Sequence, residues 1–162
     1  MIDVATLKLQ LAYSAWASRR LVEAAGKLSE AERTRDFGTA DKSVLGTLVH
    51  VFAADRVWLA RVQGHVPGRF IEVERDMNMA AIEEDWPKVL DGWQAFLGGV
   101  TDTAAMVSYK DLKGNPYTTP LWQIVLHVVN HATHHRGQVS GFLRTMGHTP
   151  PPVDLIFYYR SL

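Results

Sequence analysis

The chain has 162 residues, 47% of them hydrophobic and 21% charged, which suits one globular domain with a sizeable core. With 17 basic and 17 acidic residues the formal net charge is zero, so a nucleic-acid or anionic-membrane partner has no electrostatic support. The absence of cysteine excludes disulfides, thiolate nucleophiles and cysteine-held metals, and leaves His, Asp, Glu and water as the only metal ligands.

No run is apolar enough to span a membrane, and the N-terminus lacks the charged and apolar regions of a signal peptide; a cytoplasmic location is the expectation. The first helix is expected from about Asp3 to Gly26. Leu7, Leu11, Ala15, Ser18, Val22 and Ala25 share one face, Leu21 borders it, and Asp3 can cap. The polar stretch from Ser29 to Lys42 reads as a loop with a short helical turn at Glu30 to Arg35. Ser43 is a good N-cap for a second helix running to Gly64 through Val44, Leu45, Leu48, Val51, Phe52, Val57, Trp58, Leu59 and Val62. His50 lies among these apolar positions, where it is a satisfied core residue or a third imidazole for a distant pair. Asp55 is expected as a salt-bridge partner or as an acceptor behind a ligand.

Gln63 to Asn78 reads as a non-helical connection with His65 exposed. A third helix is expected from about Met79 to Gly98 with Trp86, Leu90, Trp93 and Leu97 as its core stripe. Pro87 is awkward inside it, and the alternative is a start at Pro87 with Asp85 as cap. Val107 to Thr118 alternates around Lys113-Gly114-Asn115-Pro116 and predicts a small hairpin. The fourth helix then runs from Thr119 as N-cap and Pro120 as first helical residue to Gly147, ahead of Pro150, Pro151 and Pro152. The aromatic tail from Val153 to Leu162 is expected to dock on the body or on a second subunit.

That fourth helix holds His127, His131, His134 and His135, four of the seven histidines. Residues four apart share a helix face, so His131 and His135 can aim two imidazoles at one point, as a divalent transition metal requires. His134, about 100° further round, is expected to face away or to hydrogen-bond to a neighbour. His127, one turn before His131, is an outer group or a structural one. Arg136 and Gln138 are expected to cap or pair inside the bundle, and Gly137 to let a neighbour come close. Four helices and one hairpin predict an all-α four-helix bundle, whose core is a usual place for metal sites.

Three blocks carry a resemblance: Leu48-Val49-His50 with Trp58, then Asn130-His131-Ala132-Thr133-His134-His135-Arg136-Gly137-Gln138, then Gly147 to Asp154 followed by the aromatic tail. With these the chain resembles the DinB/YfiT-like family of four-helix-bundle metalloenzymes, which is distinct from the lesion-bypass polymerase sharing the DinB name. The resemblance implies one such domain over residues 1–162. It also implies a metal triad of one histidine from the second helix and two from the fourth, which falls on His50, His131 and His135. Some relatives are S-transferases or isomerases using low-molecular-weight thiols such as bacillithiol, mycothiol or glutathione; others are hydrolases; and pairing as homodimers is common.

Three imidazoles leave a coordination position for water or for a substrate oxygen or sulfur. Zn²⁺ and Ni²⁺ suit imidazole, with Fe²⁺ and Mn²⁺ also compatible. A cysteine-free chain requires any thiol to come from a small co-substrate. Two functional classes are carried forward: a metal-dependent transferase or hydrolase acting on a small molecule, and a non-catalytic metal-binding or structural bundle dimer acting in stress response. No residue is singled out as a general base.

Overall fold

The computed structural model describes residues 2–162. In chain order its elements are α1 (Val4–Gly26), α2 (Glu30–Thr34), α3 (Val44–Val62), α4 (Val73–Asp76), α5 (Met79–Gly98), β1 (Met106–Lys110), β2 (Pro116–Pro120), α6 (Leu121–Thr145) and α7 (Leu155–Tyr159). The protein is all-α apart from one hairpin, and α1, α3, α5 and α6 are its long helices. Both α1 and α3 pack on α5 and on α6, which places α1 and α3 diagonally across the bundle.

Local chemistry sets most helix starts. The Asp3 carboxylate accepts the Thr6 N–H at 2.7 Å, and the Ser43 hydroxyl accepts the Gly46 N–H at 3.0 Å. α2 begins with a capping box in which Ser29 and Glu32 satisfy each other's backbone N–H groups. The buried face of α1 is wider than its simple stripe: Leu21 is fully buried and Val22 only half-buried, so Leu21 belongs to the core rather than to its border.

The Met79–Gly98 span of the third long helix holds, its alternative start at Pro87 does not, and two other boundaries differ from the sequence reading. The Asn78 side chain caps the Ala81 N–H at 2.7 Å, so α5 starts at Met79 and runs unbroken through Pro87. Burial of Ile82 and Trp86 on either side of Asp85 outweighs the one helical hydrogen bond that proline cannot make. At the start of α6, Pro120 rather than Thr119 is the cap residue, and Thr119 is paired in the hairpin with Val107. The N–H groups of Leu121 and Trp122 are taken instead by the carbonyls of Ala105 and Thr103, at 3.0 and 2.9 Å. The connection after α3 contains the single turn α4, organised around Asp76, which is 1% exposed. Its carboxylate accepts from Arg56 at 2.8 Å, Arg75 at 2.8 Å and the Glu72 N–H at 2.9 Å.

The hairpin pairs Met106 with Pro120 through Lys110 with Pro116 and lies against α3. The aromatic tail docks on α1. Tyr13 donates to the Val153 carbonyl at 3.0 Å, Gln10 donates to the Tyr159 hydroxyl at 2.9 Å, and Tyr158 sits between Tyr13 and Trp16. Among the described residues, no helix is long and apolar enough to cross a membrane.

Candidate metal centre

α3 is buried almost all round, with Leu48, Val49, Val51 and Phe52 flanking His50 in the core. His50 faces α6, where His131 and His135 stand one helical turn apart. The three side chains come together although His50 and His131 are 81 positions apart in the chain. His50 Nε2 lies 3.0 Å from His131 Nε2, and one ligand atom from each of the three rings lies within 4.8 Å of the others. Two imidazole nitrogens on one tetrahedral Zn²⁺ sit about 3.3 Å apart, so the pair is close to ligand spacing.

What lies behind the rings matters as much. Asp41, in the loop before α3, places Oδ1 3.3 Å from His50 Nδ1 and Oδ2 3.6 Å from His135 Nδ1. Gln138 Oε1 is closer to His135 Nδ1, at 2.8 Å. An oxygen acceptor at Nδ1, as Gln138 supplies to His135, holds the proton there and leaves the Nε2 lone pair free for a cation, while the longer Asp41 contacts act electrostatically. Burial first, then the neighbouring imidazoles His135, His50, His127 and His134, push the His131 pKa down to about 4. Burial also lowers that of His50, with Asp41 opposing. These are the neutral rings a divalent ion binds, and the donor set fits one without a thiolate. The cluster is not sealed: the side chains of His50 and His135 keep 23% and 12% exposure.

Two neighbours complete the setting. Phe70 sits edge-on to His50 at 5.3 Å, and Arg56 donates to its carbonyl at 3.0 Å. Gly46 is required where Asp41 crosses α3, because a Cβ there would overlap the Asp41 carbonyl. Asp41, Gly46 and Phe70 carry no periodicity or spacing that marks them in the sequence. Removing the carboxylate beside two rings in Asp41→Ala is expected to weaken metal affinity by about 10–100-fold, read by competition with a chromophoric chelator. Affinity within a factor of about two of wild type would make Asp41 irrelevant to the cluster.

The other histidines separate from the triad. His134 is exposed and stands edge-on to His135 at 4.9 Å. His127 is 5.8 Å from His131, ring to ring, and edge-on to Trp58 at 5.3 Å. His65 is exposed. Arg136 is 2% exposed and ties α6 to α1, donating to the Ser14 hydroxyl and carbonyl and to the Ser18 hydroxyl. Gly137 faces open space rather than a close neighbour.

Asp55 is neither a salt-bridge partner nor near the rings: it is 2% exposed and accepts from Trp86 Nε1 at 2.8 Å. Burial raises its pKa to about 7, with the Trp86 hydrogen bond and the Arg136 charge opposing. The folded state therefore holds a proton that the unfolded chain releases near 3.8, and this contribution to stability is lost as pH rises from about 4 to about 7. Asp55→Asn keeps the acceptor without the charge. It is expected to remove that slope and to raise the unfolding midpoint at pH 8 relative to wild type; parallel stability–pH curves for the two proteins would contradict it.

Comparison with known proteins agrees with this architecture. A sequence profile of the DinB family matches residues 1–161. The chain belongs to the DinB family. It is 20% identical over 153 residues to Protein DinB of Bacillus subtilis (strain 168), covering 90% of this chain and 89% of that protein. The crystal structure of a DinB-like protein from Bacillus cereus ATCC 10987 superposes with a TM-score of 0.61 at 18% identity, over 86% of this chain and 92% of that one, and supports the DinB fold.

Proposed function

We propose that this DinB-family protein is a metal-dependent enzyme of the S-transferase or hydrolase type, with His50, His131 and His135 holding one divalent transition metal. The observation that carries the reading is the convergence of three imidazoles with Asp41 and Gln138 behind them. When bound, the ion supplies Lewis acidity that suits activation of a water or a small thiol. The chain's own residues favour the neutral form of His50 and His131, set Asp41 and Gln138 beside Nδ1, and leave the cluster partly open to a small-molecule substrate. Zn²⁺ or Ni²⁺ fits the all-nitrogen donor set best, with Fe²⁺ and Mn²⁺ next. A low-molecular-weight thiol co-substrate, a cytoplasmic setting, a single domain and a homodimer belong to the same reading.

One observation favours a second reading. At 3.0 Å, His50 Nε2 and His131 Nε2 are also within hydrogen-bond distance, so the rings can satisfy each other in a purely structural core. Elemental analysis of untagged protein beside His50→Ala separates the two. About one transition metal per chain, lost in the variant, is expected. No metal in either protein, and none taken up from added Zn²⁺ or Ni²⁺, would make the histidines structural.

A further inference from the structure

Away from the histidines, a cavity of about 740 Å³ opens between the C-terminal end of α3, the loop at Gly64 to Gly68 and the hairpin. Arg61 lines it and is 7% exposed. The guanidinium is stacked between two rings, 4.6 Å from the Trp58 centroid and 5.2 Å from that of Tyr109. It makes no hydrogen bond or ion pair with any described residue, and its buried Nε has no partner. Arg136, 2% exposed, also has an unpartnered Nε, but its terminal nitrogens bond to Ser14, Ser18 and Thr133, whereas those of Arg61 bond to no described residue. A buried guanidinium without an acceptor is costly, and such groups are normally paired. Asp111 also lines the cavity, but its carboxylate accepts the N–H groups of Lys113 and Asn115 and the Asn115 side chain. Lys110 adds a second cation to the wall.

We propose that this cavity is an oxyanion-binding subsite in which Arg61 takes a carboxylate or phosphate group of a small molecule, with Tyr109 and Trp58 holding the guanidinium in place. Arg61 presents a planar fork of donors suited to bidentate pairing with either group. Trp58 and His127 form a run of rings from Arg61 toward His131. The subsite stands on its own geometry and does not require the histidines to bind metal.

The test follows the Arg61 Nε–H resonance of the wild-type protein by NMR, metal-free and zinc-loaded, at constant ionic strength. Inorganic phosphate and malonate are titrated separately, each to about 50 mM. A saturable shift is expected with at least one probe; phosphate alone would identify a phosphate subsite and malonate alone a carboxylate subsite. Thermal stabilisation by the effective probe should persist partly in Arg61→Lys and weaken by about 10–100-fold in apparent affinity in Arg61→Gln. No shift with either probe, or an equal response in Arg61→Gln, overturns the proposal. The wild-type titration decides even if a variant fails to fold, and it fails or succeeds independently of metal analysis.

Discussion

His131→Ala is expected to strip the protein of its metal while leaving the bundle folded. His131 touches both partners, 3.0 Å from His50 at the nitrogens and 4.5 Å from His135 between centroids. Its removal leaves two imidazoles, too few for a stable three-nitrogen site. The loss should exceed the ~10–100-fold typical of a partner behind the ligands. Helicity should persist, because the core side of α6 is carried by Ile124, Val125, Val128, Ala132 and Val139, all buried. His134→Ala serves as the control: it changes an exposed ring and should leave metal content and affinity unchanged. Equal metal content in wild type and His131→Ala would remove that ring from the site. Loss in His134→Ala but not in His131→Ala would mean that the wrong face of α6 had been assigned.

The largest stability loss is expected at Trp86. Its ring is 2% exposed and packs against Phe52 with centroids 6.1 Å apart. Trp86→Ala forfeits the buried surface and leaves a cavity, worth about 3–5 kcal/mol. It also removes the 2.8 Å donor to buried Asp55, adding about 1–3 kcal/mol for the unsatisfied group. A total of about 4–8 kcal/mol is a large part of the 5–15 kcal/mol typical of a folded domain. The melting temperature should fall by roughly 10–30 °C. Trp86→Phe keeps most of the volume but not the N–H, and should lie in between. A loss below about 2 kcal/mol for Trp86→Ala, by urea unfolding, would show that the core repacks around the gap.

Much of this was legible because it depends on neighbours in the chain. The Asp3 and Ser43 caps, the α5 stripe, the hairpin and the His131/His135 pair follow from periods of 3.6 or 2 and from side chains reaching their own backbone. His50 was legible as an apolar-helix histidine, and its place in a triad came from the likeness to the DinB/YfiT-like family. The Pro87 and Thr119 readings failed for one reason: a local rule met a stronger tertiary demand. Trp86 and Ile82 burial holds α5 through its proline, and the carbonyls of Thr103 and Ala105 do the capping that Thr119 was expected to do.

By itself, then, the sequence determined the four long helices, their apolar faces, and the pair of imidazoles, His131 and His135, on one face of the last. Only the tertiary structure decided that Asp41 stands behind His50 and His135, that Gly46 makes room for it, that Asp55 is buried against Trp86, and that Arg61 is left without an acceptor beside a cavity. Each of these depends on a loop or a neighbouring helix brought close through space. Such contacts have no sequence period, and their energy comes from burial and electrostatics that exist only once the bundle has closed.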